Sequence, residues 1–365
     1  MIAPLRAMAY PPNVRHGYPS CTACHINPGG GGVLSAYGRE LSREVQSTFG
    51  GEKETAFLYG KVPMPSWLDA GGNFRYLQIV TDTDQSISGR GFWMQGDLEG
   101  AAHLGPRWTV DATVGWKGNA EALDSDALIR SRRHFILYSL TDPFASGTQW
   151  AIRGGKYFPV YGIMPAEHSY QTRKGIGFDQ GQESYNLEIS EQNESGSTFL
   201  TPIFGKARDR SESDERGLAV TRYQTVAGNS RIGASLLFGR GVRQKTYDKR
   251  WTLGPNWIVA ATKEIFWVGE FDYVFKLKEG LKTQRGYVFT HKLTYEPRQG
   301  IQISLLQDLS KTNVLDPKTL AWTVGPVLDF YPRPHFDIQL AANRVILPGN
   351  NPNFWVYSGV LHFYP

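Results

Sequence analysis

From about Gly72 to the end of this 365-residue chain, apolar and polar residues alternate with period two, segment after segment. Trp108, Val110, Ala112, Val114 and Trp116 interleave with Thr109, Asp111, Thr113 and Lys117. Trp267, Phe271, Tyr273 and Phe275 alternate with Glu270, Asp272 and Lys276, and Phe336, Ile338 and Leu340 with Asp337, Gln339 and Asn343. Successive side chains of a strand point to opposite faces, so each segment has one apolar face with aromatic ends and one charged face. A soluble sandwich alternates too, but in shorter segments and without so regular an aromatic flank. Stretches of this length match tilted membrane strands, which need roughly 9–11 residues.

Sixteen such segments begin near residues 72, 91, 107, 132, 150, 182, 196, 216, 230, 250, 265, 285, 300, 319, 334 and 352. Their connections alternate in length. Tight ones fall at Gly105-Pro106, Asn193 to Gly196, Gly228-Asn229, Lys263-Glu264, Pro297 to Gln299 and Pro332 to Pro334. Longer polar ones fall at Thr81 to Arg90, Asn119 to Ser131, Lys206 to Arg216 and Ser310 to Lys318. An even strand count with short turns at one end and long loops at the other predicts an all-β fold, a 16-stranded antiparallel outer-membrane barrel with both termini periplasmic. The composition agrees: 40 Gly, 18 Tyr, 19 Phe and 10 Trp occur without an apolar run long enough for a membrane helix. The net charge of +5 is modest and scattered, so no nucleic-acid partner is expected.

The longest connection, roughly Ile163 to Gln182, holds Met164, Pro165, His168, Arg173 and Lys174. It stands where sixteen-stranded porins fold a loop into the pore; an ordinary loop over the barrel mouth is the alternative. Inward carboxylates such as Asp111, Glu270, Asp272, Asp329 and Asp337 read as the lining of a wet lumen, and Asn193-Glu194-Ser195 as a tight turn. No nucleophile motif, phosphate loop or zinc-protease pattern is present.

The first 65 residues carry different chemistry. Cys21-Thr22-Ala23-Cys24-His25 is a C-x-x-C-H, the attachment signature of c-type haem, and its cysteines are the only 2 in the chain. Each thiol bonds a haem vinyl group, and His25 offers its imidazole as proximal iron ligand. A thioredoxin-like pair would need a βαβ context, and a zinc site would need a second ligand pair; both are missing. One covalently bound haem c is therefore expected. Gly29 to Gly32 allow a tight turn against a porphyrin, with a nearby carbonyl to fix the His25 ring, or else form a plain linker. Leu34, Tyr37, Leu41 and Val45 predict one short amphipathic helix, ended by Gly50-Gly51. The distal position is open among Met64, held in Pro63-Met64-Pro65; His16; and no protein ligand at all, with Met64 the first choice.

Met1–Ala9 is too short for a secretory signal, yet Ala7-Met8-Ala9 has the form of a cleavage site before Tyr10. The expected organisation is a remnant of a truncated signal peptide at 1–9, a mostly α monohaem cytochrome segment at 10–65 and the barrel at 66–365.

Together these features resemble the outer-membrane porin–cytochrome c fusions, in particular the iron-oxidising monohaem outer-membrane cytochromes. Cys21-x-x-Cys24-His25 followed by Leu34-x-x-Tyr37-Gly38-Arg39 is similar to that family's motif, although the intervening four glycines depart from it. The last strand, with Trp355, Tyr357, Leu361 and Phe363 on one face, resembles an assembly signal but ends on Tyr364-Pro365. The resemblance implies electron transfer across the outer membrane, with the haem on the periplasmic side or in the lumen. Its implied partners are outer-membrane lipid, an extracellular electron donor or acceptor such as Fe(II), and a periplasmic c-type cytochrome, in a possible homo-trimer. Fe(II)-oxidising oxidoreductase activity is the associated expectation. The alternative is a solute porin whose haem segment is a plug or redox-sensing gate.

Overall fold

The computed structural model describes residues 11–18, 20–116, 129–167, 169–179, 181–205, 216–226, 229–243, 246–280, 282–349 and 351–365; the expected signal remnant at 1–9 and His168 lie outside them. The chain forms β1 (Leu68–Asp82), β2 (Ile87–His103), β3 (Trp108–Trp116), β4 (Ile129–Ser139), β5 (Gln149–Tyr157) and β6 (Ser184–Asn193). Next come β7 (Gly196–Gly205), β8 (Arg216–Val226), β9 (Ser230–Arg243), β10 (Thr246–Ala260) and β11 (Ile265–Lys278). The last five are β12 (Gln284–Arg298), β13 (Ile301–Lys311), β14 (Leu320–Arg333), β15 (Phe336–Ile346) and β16 (Phe354–Phe363). Each strand pairs antiparallel with its sequence neighbours, and β1 closes on β16, from Phe74 opposite Phe363 to Asp82 opposite Trp355.

The sixteen-stranded antiparallel barrel matches the sequence expectation, and closure removes the unpaired strand edges that a bilayer does not tolerate. One connection differs. Thr81 to Arg90 is a four-residue turn closed by Thr83 and Ser86, because β1 and β2 run on for 15 and 17 residues. Residues 87–91 are exposed and, after Ile87, consist of Ser, Gly, Arg and Gly, so they lack the alternating apolar face by which a strand is recognised, yet they stay paired with β1.

The faces are inverted relative to a soluble protein. Along β3, Trp108, Val110, Val114 and Trp116 are exposed while Asp111 and Thr113 are buried. Trp93, Trp251, Trp267, Leu305 and Tyr357 continue that exposed apolar surface around the barrel. So large an exposed apolar surface is stable only against lipid. No described helix is long and apolar enough to cross a membrane, which says nothing about strands.

The chain ahead of β1 is not a domain beside the barrel. It is threaded into the lumen from the end with the short turns. Arg15, buried there, pairs with Glu296 at the rim, donates to the Lys263 carbonyl at 2.7 Å and lies over the Phe266 ring. Thr48 and Phe49 donate backbone N–H groups to Tyr331 and Pro332, while Arg333 pairs with Glu54 at 2.6 Å. Deeper in, Asn27 meets Arg153 on β5. The segment holds one helical stretch of 11 residues, helix α1 (Ala36–Leu41, 6 residues) continued by a wider turn over Ser42–Gln46 (5 residues). The rest is short turns and extended chain, so it is not mostly α. A stretch this rich in glycine and proline builds only a small apolar cluster, Cys24 and Leu41 with Tyr18, Leu34 and Val45, and takes the rest of its shape from the lumen wall.

A second element enters from the other end. The described residues of the connection between β5 and β6, 158–167, 169–179 and 181–183, fold into the lumen. Tyr161 Oη donates to Asp272 at 2.7 Å, Ile163 N to Glu270 at 2.6 Å and Gln171 N to Asp308 at 2.9 Å. Tyr161, Ile176 and Phe178 pack on an apolar patch of the inner wall built from Ile203, Ala219, Leu237, Val274 and Val288. Burying each large side chain there contributes about 1.5–3 kcal/mol, which a solvated loop would forgo.

Candidate functional site

Between the N-terminal plug and the inward loop lies a cavity of about 840 Å³. Cys21, Cys24 and His25 border it from the plug, Glu99 and Arg133 from the wall, and Met164 from the inward loop.

The cysteine–histidine turn is compact. Cys24 and His25 donate their N–H groups to the Cys21 carbonyl at 3.2 and 3.0 Å, so the residues between the two sulfurs form a single tight turn. Both cysteines are free thiols, Cys21 half-buried and Cys24 buried. Burial pushes the Cys24 thiol up, so in the packed segment it stays protonated.

The four glycines then bring the chain back over this turn. Gly30, Gly31 and Gly32 take φ of +81°, +70° and +72°, which only glycine adopts cheaply in succession. A Cβ on Gly30 would sit 3.5 Å from Cys21 Sγ and 4.0 Å from His25 Cδ2. The return places the Gly32 carbonyl 3.3 Å from His25 Nδ1. That contact sets the ring so that Nε2 is the nitrogen a haem iron would take. The glycines are therefore a built loop rather than a plain linker. The orienting carbonyl belongs to Gly32, seven residues past the histidine.

Helix α1 covers the turn. Ser35 caps it: its Oγ accepts from Gly38 N at 3.1 Å and donates to the Ala23 carbonyl, also at 3.1 Å, while its own N–H donates to the Cys24 carbonyl at 2.8 Å. At Gly38 a Cβ would lie 2.4 Å from the Cys24 carbonyl, so the helix touches the motif only because this residue has no side chain. Arg39, nearly buried, donates to the Ala70 carbonyl on β1 and anchors the helix to the wall. The Gly38-Arg39 part of the sequence motif thus has a packing explanation, whereas Tyr37 is exposed.

The wall around the cavity is charged and paired. Arg133 donates to Asp111 at 2.7 Å and to Thr113 at 2.9 Å, Arg132 lies 3.5 Å from Asp97, and Arg153 pairs with Glu188 at 2.8 Å. Lys292 pairs with Asp329 at 2.8 Å and His362 with Asp337 at 3.1 Å. The inward carboxylates serve as counter-ions and as anchors for the loop: Glu270 and Asp272 hold Ile163 and Tyr161.

Cys21, Cys24 and His25 thus meet on one cavity. Met64 does not join them; it lies between the plug and β1, away from the cavity lining. His16 sits at the rim beside Lys263 and Glu264, and burial, with Arg15 alongside, lowers its pKa to about 4. Sequence reasoning missed the inner apolar patch, although Ile203, Ala219 and Leu237 are apolar at lumen-facing positions. It also missed that Met164, on the inward loop, borders the same cavity as the Cys21–His25 turn, a placement that depends on how two distant segments fold. Two sulfurs, an oriented imidazole and a glycine-lined recess beside a cavity of this size are the donor set that a covalent haem requires.

No protein-family model matches the chain, and no curated protein matches it. Solved structures do. OprB of Pseudomonas putida superposes with a TM-score of 0.60 at 8% identity, covering 88% of this chain and 99% of that one. The outer membrane channel DcaP of Acinetobacter baumannii gives 0.56 at 10% identity over 83% and 99%. OmpT of Vibrio cholerae, in a trimer form, gives 0.56 at 9% identity over 82% and 99%. At these identities the likeness shows the fold. The chain shares the barrel fold of these outer-membrane proteins.

Proposed function

We propose that this chain resides in the bacterial outer membrane and carries electrons across it. Residues 10–65 form a haem-bearing plug, and residues 66–365 form the porin-type barrel that holds it. The observation that carries this reading is the position of the Cys21–His25 turn, inside the lumen on the cavity beneath the inward loop. Cys21 and Cys24 would hold the haem through thioether bonds and His25 would be its proximal ligand. Bound this way, the group supplies reversible one-electron chemistry.

The protein does the rest. The Gly32 carbonyl orients His25, α1 shields the attachment turn, and the plug and inward loop limit water on either side. Paired charges such as Arg133–Asp111 fix the local field. The partners are an extracellular electron donor or acceptor, Fe(II) being the example the resemblance supplies, and a periplasmic c-type cytochrome at the short-turn rim. A homo-trimer is proposed by analogy with the OmpT trimer form.

A second reading has its own support. The likeness to porin-type barrels, one of them described as a channel, favours a solute porin whose haem-bearing plug acts as a gate. Conductance of the purified, haem-loaded chain in a planar bilayer separates the two. A barrel that stays closed while its haem cycles between oxidation states supports the conduit; steady ion flow, or flow switched by haem oxidation, supports the gated porin.

A further inference from the structure

We propose that Met164, on the inward loop, would hold a haem iron through its thioether sulfur together with His25, so that the two ligating side chains would come from the two elements that enter the lumen from opposite ends. The proposal rests on the haem reading above and goes beyond it by naming the distal ligand and its source.

Met164 lines the same cavity as Cys21, Cys24 and His25. Its loop touches the haem segment directly: a Cβ on Gly29 would meet Val160 Cγ2 at 3.3 Å, four residues before Met164. The backbone around it is held on all sides. Gly162 N donates to Ser235 Oγ at 2.9 Å and Ile163 N to Glu270 at 2.6 Å. The Pro165 carbonyl accepts from Arg173 at 2.8 Å and the Ala166 carbonyl from Arg75 at 2.9 Å. Within this clamp Met164 takes φ of +52°, a conformation a side chain other than glycine rarely adopts and that surrounding contacts must enforce. The Met164 side chain, partly buried, packs against the cluster of Tyr161, Ile176 and Phe178 at the edge of the cavity, and an unbranched thioether adapts readily to a ligand position.

The competing groups fare worse. Met64 is off the cavity. His362 lines it, but its ring nitrogens lie 3.1 Å from Asp337 and 3.1 Å from Asn73. His291 accepts from the outward-facing Trp267. Met94 also lines the cavity, as the extra residue where Arg75 pairs with Gln95 but Tyr76 with Trp93. It is carried by the barrel wall and not by the inward loop, so it is the control.

The test uses the full chain, exported and matured with covalent haem. Readouts are haem mass on the Cys21–Cys24 peptide, the ferric absorption spectrum and the midpoint potential. The expected wild-type spectrum is low-spin, with the weak long-wavelength charge-transfer band of thioether–ferric haem. Met164→Leu, which conserves volume, should keep the covalent haem and heat-modifiable barrel migration, lose the band and lower the potential. Met164→His should return a low-spin spectrum without the band, showing that position 164 reaches the iron. Met94→Leu and Met64→Leu should leave band and potential unchanged. A band that survives Met164→Leu, that disappears with Met94 or Met64, or that is missing from haem-loaded wild type overturns the ligand assignment alone. A wild-type chain without haem on Cys21 and Cys24 overturns the haem reading, and the ligand assignment with it.

Discussion

The barrel and the plug occupy the same lumen but are specified in opposite ways. Every strand of the barrel is written locally: alternation places aliphatic and aromatic groups outward and charged groups inward, and neighbour-to-neighbour pairing closes the ring. The plug has only one helical stretch, and its position depends on residues hundreds apart in sequence, such as Arg15 on Glu296 and Thr55 on His335. The first can form without the second, whereas the second has no reason to fold without the first. That asymmetry suits a scaffold that closes first and then receives a segment docked against its inner wall.

The most drastic way to break the comparison is to remove the plug. A chain lacking residues 11–60 should still give a heat-modifiable barrel on gels, but with single-channel conductance raised severalfold over the intact chain. Loss of the barrel on this deletion would contradict the asymmetry.

Next in size is Arg15→Ala. It leaves the buried Glu296 without its cation, and breaking a buried pair costs about 3–5 kcal/mol. Protease should then release the plug much faster, while barrel melting stays close to wild type.

Gly38→Ala acts inside the plug. The added Cβ would press on the Cys24 carbonyl, and such overpacking costs about 1–3 kcal/mol. The helix should lift from the haem turn, seen as a less structured haem environment in circular dichroism, again with the barrel intact.

The smallest effect is one of pH. His335, in the turn between β14 and β15, lies 3.2 Å from the Thr55 carbonyl through Nε2, and burial lowers its pKa from 6.5 to about 4. The released state therefore binds the proton more readily than the docked one. Docking is at full strength above pH 6.5 and weakens as pH falls towards about 4. Protease sensitivity of the plug should rise over that window, and His335→Gln should flatten the response.

What was legible in the sequence follows the same division. Strand starts fall at most four residues from the period-two expectation, the largest offsets being 72 against Leu68, 91 against Ile87 and 250 against Thr246. Cys21, Cys24 and His25 were equally plain as a candidate site, because they lie within five adjacent residues and share one turn in the structure. Illegible were the features that need two distant segments to meet: Gly32 reaching back to His25, Arg39 reaching Ala70, and the apolar patch under Tyr161 and Phe178. Met64 looked suited to the distal site because two prolines hold it, yet proximity to a lumen cavity is set by topology, and the loop carrying Met164 arrives from the opposite end.

The central claim is that the Cys21–His25 turn bears a haem inside the lumen, in electronic reach of the outside. Visible spectra of intact cells carrying the matured full chain test it, recorded while a membrane-impermeant reductant or Fe(II) is added externally. Prompt reduction of the covalent haem, lost in Cys21→Ser/Cys24→Ser, is the result expected. A loaded haem that responds only to a membrane-permeant reductant would contradict it.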